Sequence, residues 1–236
     1  LRGKVDNFGD TLADSRGILG ATSLNGTNIF DPRTPNTIVY LTPDFAGLTV
    51  AAAYVTDLNE ADNSVDNNDT DAYSVNGVYK NGPLMLGAAY EKQNVTATTD
   101  RSMWRLAAGY TFGNAKLGAL YQSSESTHAA TEERDGWGVF GSYAMGAITL
   151  KANYLKADDS ESVAEDGAEQ FTLGVDYALS KRTTVYAMYA KVTNDTAAVY
   201  GLGTGVGSTD RLSGGGTTIA GGADPSVFGI GMMHSF

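Results

Sequence analysis

The last ten residues, Val227 to Phe236 (VFGIGMMHSF), alternate bulky and small residues to the end of the chain. Phe228, Ile230, Met232, His234 and Phe236 fall on one side, and Val227, Gly229, Gly231, Met233 and Ser235 on the other. A period of two predicts a strand, because successive side chains point to opposite faces. A soluble sheet rarely ends on an exposed Phe. A strand that borders lipid needs apolar and aromatic residues on its outer face, and that demand explains the ending.

The same alternation recurs upstream. Tyr73, Val75, Gly77 and Tyr79 oppose Ser74, Asn76, Val78 and Lys80, and Trp104, Leu106, Ala108, Tyr110 and Phe112 oppose Arg105, Ala107, Gly109 and Thr111. Ile148, Leu150, Ala152 and Tyr154 oppose Thr149, Lys151 and Asn153, and Phe171, Leu173, Val175 and Tyr177 oppose Gln170, Thr172, Gly174 and Asp176. Tight-turn signals at Asp44–Gly47, Asn81–Pro83, Gly113–Asn114, Met145–Gly146 and Ser180–Lys181 take turns with long polar stretches near 57–71, 94–101, 123–135, 157–168 and 193–224. Short turns at one end and long loops at the other describe a chain of hairpins. The reading is all-β: an antiparallel up-and-down transmembrane β-barrel with about eleven strands. They fall near 35–42, 47–56, 71–80, 83–92, 102–112, 115–123, 136–144, 147–156, 169–179, 182–192 and 226–236. The polar faces carry charges together with Gly and Ala, which predicts a wet interior.

Composition agrees with this reading and removes others. Mean hydropathy is −0.19, and no apolar run approaches the ~18 residues of a membrane helix. A barrel needs only alternate residues to be apolar. The absence of cysteine removes disulfides and thiolate metal sites. A formal charge of −11 argues against nucleic acid as a partner. Nine of the 13 Tyr sort by level: Tyr40, Tyr79, Tyr110, Tyr143 and Tyr177 just before short turns, and Tyr54, Tyr90, Tyr121 and Tyr154 towards the far ends of strands. Folded into hairpins, they form two rings, the placement that suits an amphipathic ring at a lipid–water boundary.

The stretches FDPRTPNTIVYLTPDFAGLTVAAAY (Phe30 to Tyr54) and LSKRTTVYAMYAKV (Leu179 to Val192), with the terminal GIGMMHSF, resemble Gram-negative general porins over essentially the whole chain. The resemblance implies a homotrimer of roughly sixteen-stranded barrels in the outer membrane. Each would hold a water-filled channel for passive diffusion of small hydrophilic solutes and ions, narrowed by an inward-folded third loop. It also implies contact with the lipid bilayer and lipopolysaccharide, and Phe236 as the signal read by the outer-membrane barrel assembly machinery. No cofactor, metal or catalytic group is implied. The odd strand count and the early appearance of third-loop features predict a C-terminal portion lacking about five strands.

Residues 1–33 lack alternation and form the expected constriction segment, with 34–236 as the barrel strands. By resemblance, VDNFGDTLADSRGILG is the constriction loop, contributing Asp6, Asp10, Asp14 and Arg16. Spacing of four would set the three Asp on one helical face as a negative rim. A solvated loop whose Asp residues cap turns is the other reading. Inner-face positions include Lys80, Glu91, Arg105, Lys116, Lys151, Asp176 and Lys191. These charges either form a wall opposite the acidic loop, with a transverse field across the pore, or are solvated residues away from the narrowest point. The sign of ion preference stays unassigned.

The remaining acids, including Asp57, Glu60, Asp62, Asp66, Asp69, Glu125, Glu132, Glu133, Asp158, Asp159, Glu161 and Glu165, cluster in the long loops. Solvation accounts for such runs more often than divalent cations bridging to lipopolysaccharide. Gly201 to Gly207 (GLGTGVG) follows no strand-to-helix pattern and reads as flexible loop. Two alternatives remain: a solute-specific outer-membrane channel, and an outer-membrane barrel enzyme, for which His128 is the only loop histidine.

Overall fold

The computed structural model describes residues 1–9, 11–20, 30, 34, 36–58, 70–96, 99–127, 132–202 and 219–236. Its framework is one 11-stranded antiparallel sheet in which spatial order is sequence order. The strands are β1 (Thr37–Leu41), β2 (Leu48–Val55), β3 (Asp71–Asn81), β4 (Leu84–Thr96), β5 (Thr99–Phe112) and β6 (Ala115–Ser126). They continue with β7 (Glu132–Met145), β8 (Ile148–Ala157), β9 (Ala168–Ala178), β10 (Thr183–Asn194) and β11 (Ser226–His234). Each pairs with its sequence neighbours, so β1 and β11 keep one free edge apiece and the sheet is open.

All the expected strands form. β4 to β7 run further towards the long-loop end than predicted, absorbing most of 94–101 and 123–135. Those stretches were polar enough to read as loop, but Thr, Val and Ser tolerate the pleat and the ladder continues in water. Gly82, Gly113 and Gly146 take positive φ at three of the short turns. Gly47 is the most constrained: its φ is 93°, and a Cβ there would collide with the carbonyl oxygen of Lys80. The β9–β10 turn has no glycine. Ser180 Oγ instead accepts the backbone N–H groups of Arg182 (3.2 Å) and Thr183 (3.0 Å).

The outer face is apolar and exposed, reaching 77% at Ile230 and 51% at Leu106. Register assembles its aromatics into two levels. Towards the long loops Tyr54 lies opposite Tyr73, Tyr90 opposite Trp104, Tyr121 opposite Trp137, Tyr154 opposite Phe171, and Tyr189 opposite Phe228. Ring centroids at 6.2 Å (Tyr73–Tyr90), 5.3 Å (Trp104–Tyr121) and 5.5 Å (Trp137–Tyr154) link neighbouring pairs into a belt. Tyr79, Tyr110, Phe112, Tyr143 and Tyr177 mark the second level, near the short turns.

The inner face departs from the expected wet interior. Residues 1–9 and 11–20 fold against it, α1 (Arg2–Val5) on β5 and β6 and α2 (Arg16–Leu19) on β7 to β9. Val5, Phe8, Ile18 and Leu19 are buried against Leu120, Phe140, Leu155 and Met188, a dry core inside the sheet. The glycines there make room: a Cβ on Gly118 would crowd Val5, and one on Gly174 would run into the Phe8 ring. Burying each such large side chain contributes about 1.5–3 kcal/mol, which fixes the segment to the wall.

Placing a lysine at Leu106, on the outer face between the belts, should cost about 2–4 kcal/mol. The unfolding midpoint in lipid vesicles would fall accordingly; an unchanged midpoint would show that this face does not meet hydrocarbon.

Candidate functional site: the inner-face segment and its charges

Neither short helix of the segment contains the acidic positions. Residues 6–9 and 11–15 are not helical, so Asp6 and Asp14 do not lie on a shared helical face. Asp6 Oδ1 accepts the backbone N–H of Phe8 (2.9 Å) and Asp6 Oδ2 that of Ser15 (3.0 Å), local bonds that compete with helix. The loop brings Asp6 and Asp14 together on Arg2 instead. Arg2 Nη1 donates to Asp6 Oδ2 (3.3 Å), Asp14 Oδ1 and Ser15 Oγ (2.9 Å). Asn153 of β8 donates to Asp6 Oδ1 at 2.9 Å, and Asn7 donates to the carbonyl of Gly141 at 3.0 Å, tying this knot to the wall.

The side chains of Asp6 and Asp14 are 0% and 5% exposed. Their charge is compensated by Arg2 and removed from solvent, so neither forms a negative rim. Asp10 lies outside the described residues. Arg16 is half-buried at the start of α2, where its backbone N–H donates to Asp14 Oδ1 at 2.8 Å. The described residues of the segment that stand exposed are Gly3, Lys4, Gly9 and Leu12, so its exposed charge is basic.

Lys80, Glu91, Arg105, Lys116, Lys151 and Asp176 all stand on the inner face, with unequal surroundings. Arg105 is buried; its Nε donates to Gln122 Oε1 at 2.8 Å, and Gln122 Nε2 donates to the carbonyl of Leu19. It fastens α2 rather than facing solvent. Lys151 sits 3.0 Å from Asp176 and 4.8 Å above the Phe8 ring. Glu91 accepts from Gln93 Nε2 at 2.6 Å. Lys116 Nζ donates to the carbonyl of Lys4 at 3.4 Å. Lys4, Lys80 and Lys116 are exposed and make no ion pair among the described residues.

Lys191 is a correction. Two residues beyond the outward Tyr189, it shares that face and lies opposite Phe171. Its ammonium is 3.2 Å from Asp224. The Asn194 backbone N–H and then Lys191 hold the Asp224 carboxyl below the usual carboxylate range. Sequence reading also missed Arg2, and Arg134 of β7, which is buried against Asp166 and Tyr200. An arginine at inner parity on a strand running into an acidic loop is the signal that would have found Arg134.

Phe236 is fully exposed, and His234 Nδ1 lies 2.9 Å from Thr183 Oγ1 on the outer face. His128, the loop acids Glu60, Asp62, Asp66 and Asp69, and Gly203 to Gly207 lie outside the described residues. Among the described residues no group of three or more His, Cys, Asp or Glu could hold a metal ion.

Replacing Arg2 with Met should leave two buried carboxylates uncompensated and weaken docking of the segment by about 3–5 kcal/mol. Limited proteolysis should then cut within residues 1–20, and adding Asp6→Asn and Asp14→Asn should restore protection.

The sequence profile of the Gram-negative porin family matches residues 2–197. Outer membrane porin protein 32 of Delftia acidovorans is 31% identical over 176 residues, covering 72% of this chain and 49% of that protein. An anion-selective porin from Comamonas acidovorans has the same fold, with a TM-score of 0.75 at 24% identity over 92% of this chain and 64% of that one. So does a trimer form of OmpT, an outer membrane protein of Vibrio cholerae, with a TM-score of 0.65 at 19% identity over 94% and 71% of the two chains. The chain spans about half the length of the curated relative it matches.

Proposed function

The chain belongs to the Gram-negative porin family and to the outer membrane, and from that premise we propose that it builds the wall of a water-filled channel for passive diffusion of small hydrophilic solutes, with a preference for anions. The observation that carries this reading is the division of the sheet. Hydrocarbon is met by an exposed apolar face between two aromatic belts, while a polypeptide segment occupies the opposite face. A sealed pore requires partners for the free edges of β1 and β11, because unpaired backbone is not tolerated in lipid.

Anion preference follows from the charges left exposed on the inner side. Asp6 and Asp14 share Arg2 and are shut away from solvent, and Asp176 is paired with Lys151. Lys4 and Lys116 adjoin one another, and Lys80 stands on the same face. Fixed ammonium groups in a narrow aqueous passage raise the local concentration of anions and lower that of cations. The similarity to an anion-selective porin supports the same sign. Homotrimer formation, contact of the outer face with lipopolysaccharide, and recognition of Phe236 by the barrel assembly machinery belong to this reading as well. An outer-membrane barrel enzyme has less support, since the matching profile is that of a porin family.

Reversal potentials across a potassium chloride gradient in planar bilayers test the proposal. The channel should show chloride preference, and Lys4→Gln with Lys116→Gln should reduce the permeability ratio several-fold without abolishing conductance. Cation preference in the unaltered channel would refute the assignment of sign. Failure to conduct at all would refute the channel.

A further inference from the structure

The inner face is sealed unevenly. On β7 to β10 its upper part is closed: Leu155, Ala157, Ala190 and Val192 are completely buried. On β3 and β4 the inner residues Ala72, Val78 and Gln93 are also buried, but Ser74, Asn76 and Ala89 between them are half-exposed. The N-terminal segment covers only part of the closed region. The rest lies beneath two connections at the long-loop end, residues 158–167 between β8 and β9, and 195–202 after β10.

Arg134 joins them. It projects from the inner face of β7 and pairs with Asp166 of the first connection, donating also to the Asp166 carbonyl at 2.9 Å. Its guanidinium bonds the Tyr200 hydroxyl of the second connection and lies 5.8 Å from that ring's centroid. All three residues are essentially inaccessible. Asp166 further accepts from the backbone N–H (2.8 Å) and hydroxyl (3.0 Å) of Ser160. Tyr200 exchanges two 2.9 Å bonds with the Asn194 side chain. Backbone bonds from Asp195 to Gly167 (3.0 Å) and Ala197 to Glu165 (2.8 Å) join the two connections directly.

We propose that Arg134 is the latch of a fixed external cap that seals the inner wall of β7 to β10, so that solutes pass along the wall of β3 and β4. This rests on the channel reading above. Arg134 acts here as a positioning residue, holding two loops whose fold sets where water reaches the wall. A buried guanidinium bound by a carboxylate, a carbonyl and a phenol fixes geometry in a way that exposed ion pairs do not.

The chain contains no cysteine, so a single introduced thiol reports its own accessibility. In the complete channel reconstituted in bilayers, Ser74→Cys should react with a membrane-impermeant methanethiosulfonate, and its modification should reduce chloride current. Ala157→Cys, beneath the cap, should react more than about tenfold slower. Combined with Arg134→Met, Ala157→Cys should react at a rate approaching that of Ser74→Cys, while Arg134→Lys should keep partial protection. Should the Arg134→Met channel fail to assemble, the comparison of Ser74→Cys with Ala157→Cys in the presence of Arg134 still decides the matter. Equal reactivity of the two thiols in a conducting channel would overturn the cap, as would modification of Ser74→Cys without effect on current. Absence of conductance in the unaltered protein would instead refute the channel reading.

Discussion

Backbone amides and carbonyls cannot be left unpaired in hydrocarbon, and the remainder of this structure follows from that constraint. An antiparallel ladder satisfies each strand only through its neighbours, so the hairpins must stay in continuous register from β1 to β11. Continuous register makes the two faces chemically distinct along the whole sheet. One face is given to lipid and filled with Leu, Val and aromatic residues. The other is free to hold Lys, Asp, Asn and Gln. This division lets a chain with a mean hydropathy of −0.19 be a membrane protein.

The same division explains why net charge misleads. A formal charge of −11 suggests an acidic surface everywhere. The acids are in fact concentrated at the long-loop end, where Asp135, Asp158 and Glu169 stand above the aromatic belt. Inside, Asp6, Asp14, Asp166 and Asp176 each have a cationic partner. Lys4, Lys80 and Lys116, which make no ion pair among the described residues, are the groups on which the proposed anion preference rests, although they are few. Position outweighs the total because screening confines each exposed charge to roughly 8–10 Å.

Periodic features were legible in the sequence, and aperiodic ones were not. Strand positions and the two tyrosine levels followed from a period of two joined to turn residues, both written locally in the chain. Trp104 and Trp137 complete the belt at positions the same parity would have indicated. Lys191 was misplaced although Tyr189, two residues earlier, carried the information needed to place it. The spacing of four suggests a helical period that the described residues at Asp6 and Asp14 do not adopt. Asp6 satisfies backbone N–H groups of its own loop, and no spacing rule weighs that competition. Arg105 reads as a wall charge and Arg134 as part of a polar loop, because burial depends on which loops fold back, and those contacts join distant residues.

The dry core within the sheet links these observations. A glycine on an inner strand position is unfavourable by itself, since it adds backbone freedom and buries nothing. Gly118 and Gly174 are accounted for once Val5 and Phe8 are in place, because side chains at those positions would push the segment off the wall. The small residues of the wall and the large ones of the segment therefore specify one another. The polar ties between them follow the same logic: Gln170 donates to the carbonyl of Ala13 at 3.0 Å, as Gln122 does to that of Leu19. Each wall amide pairs with a segment carbonyl that would otherwise be buried without a partner. A segment held by close packing and by its own backbone groups is fixed in place on the wall. In the proposed channel selectivity comes from which charges the packing leaves exposed, and among the described residues of the segment and the inner face the lysines exposed without an ion pair are Lys4, Lys80 and Lys116.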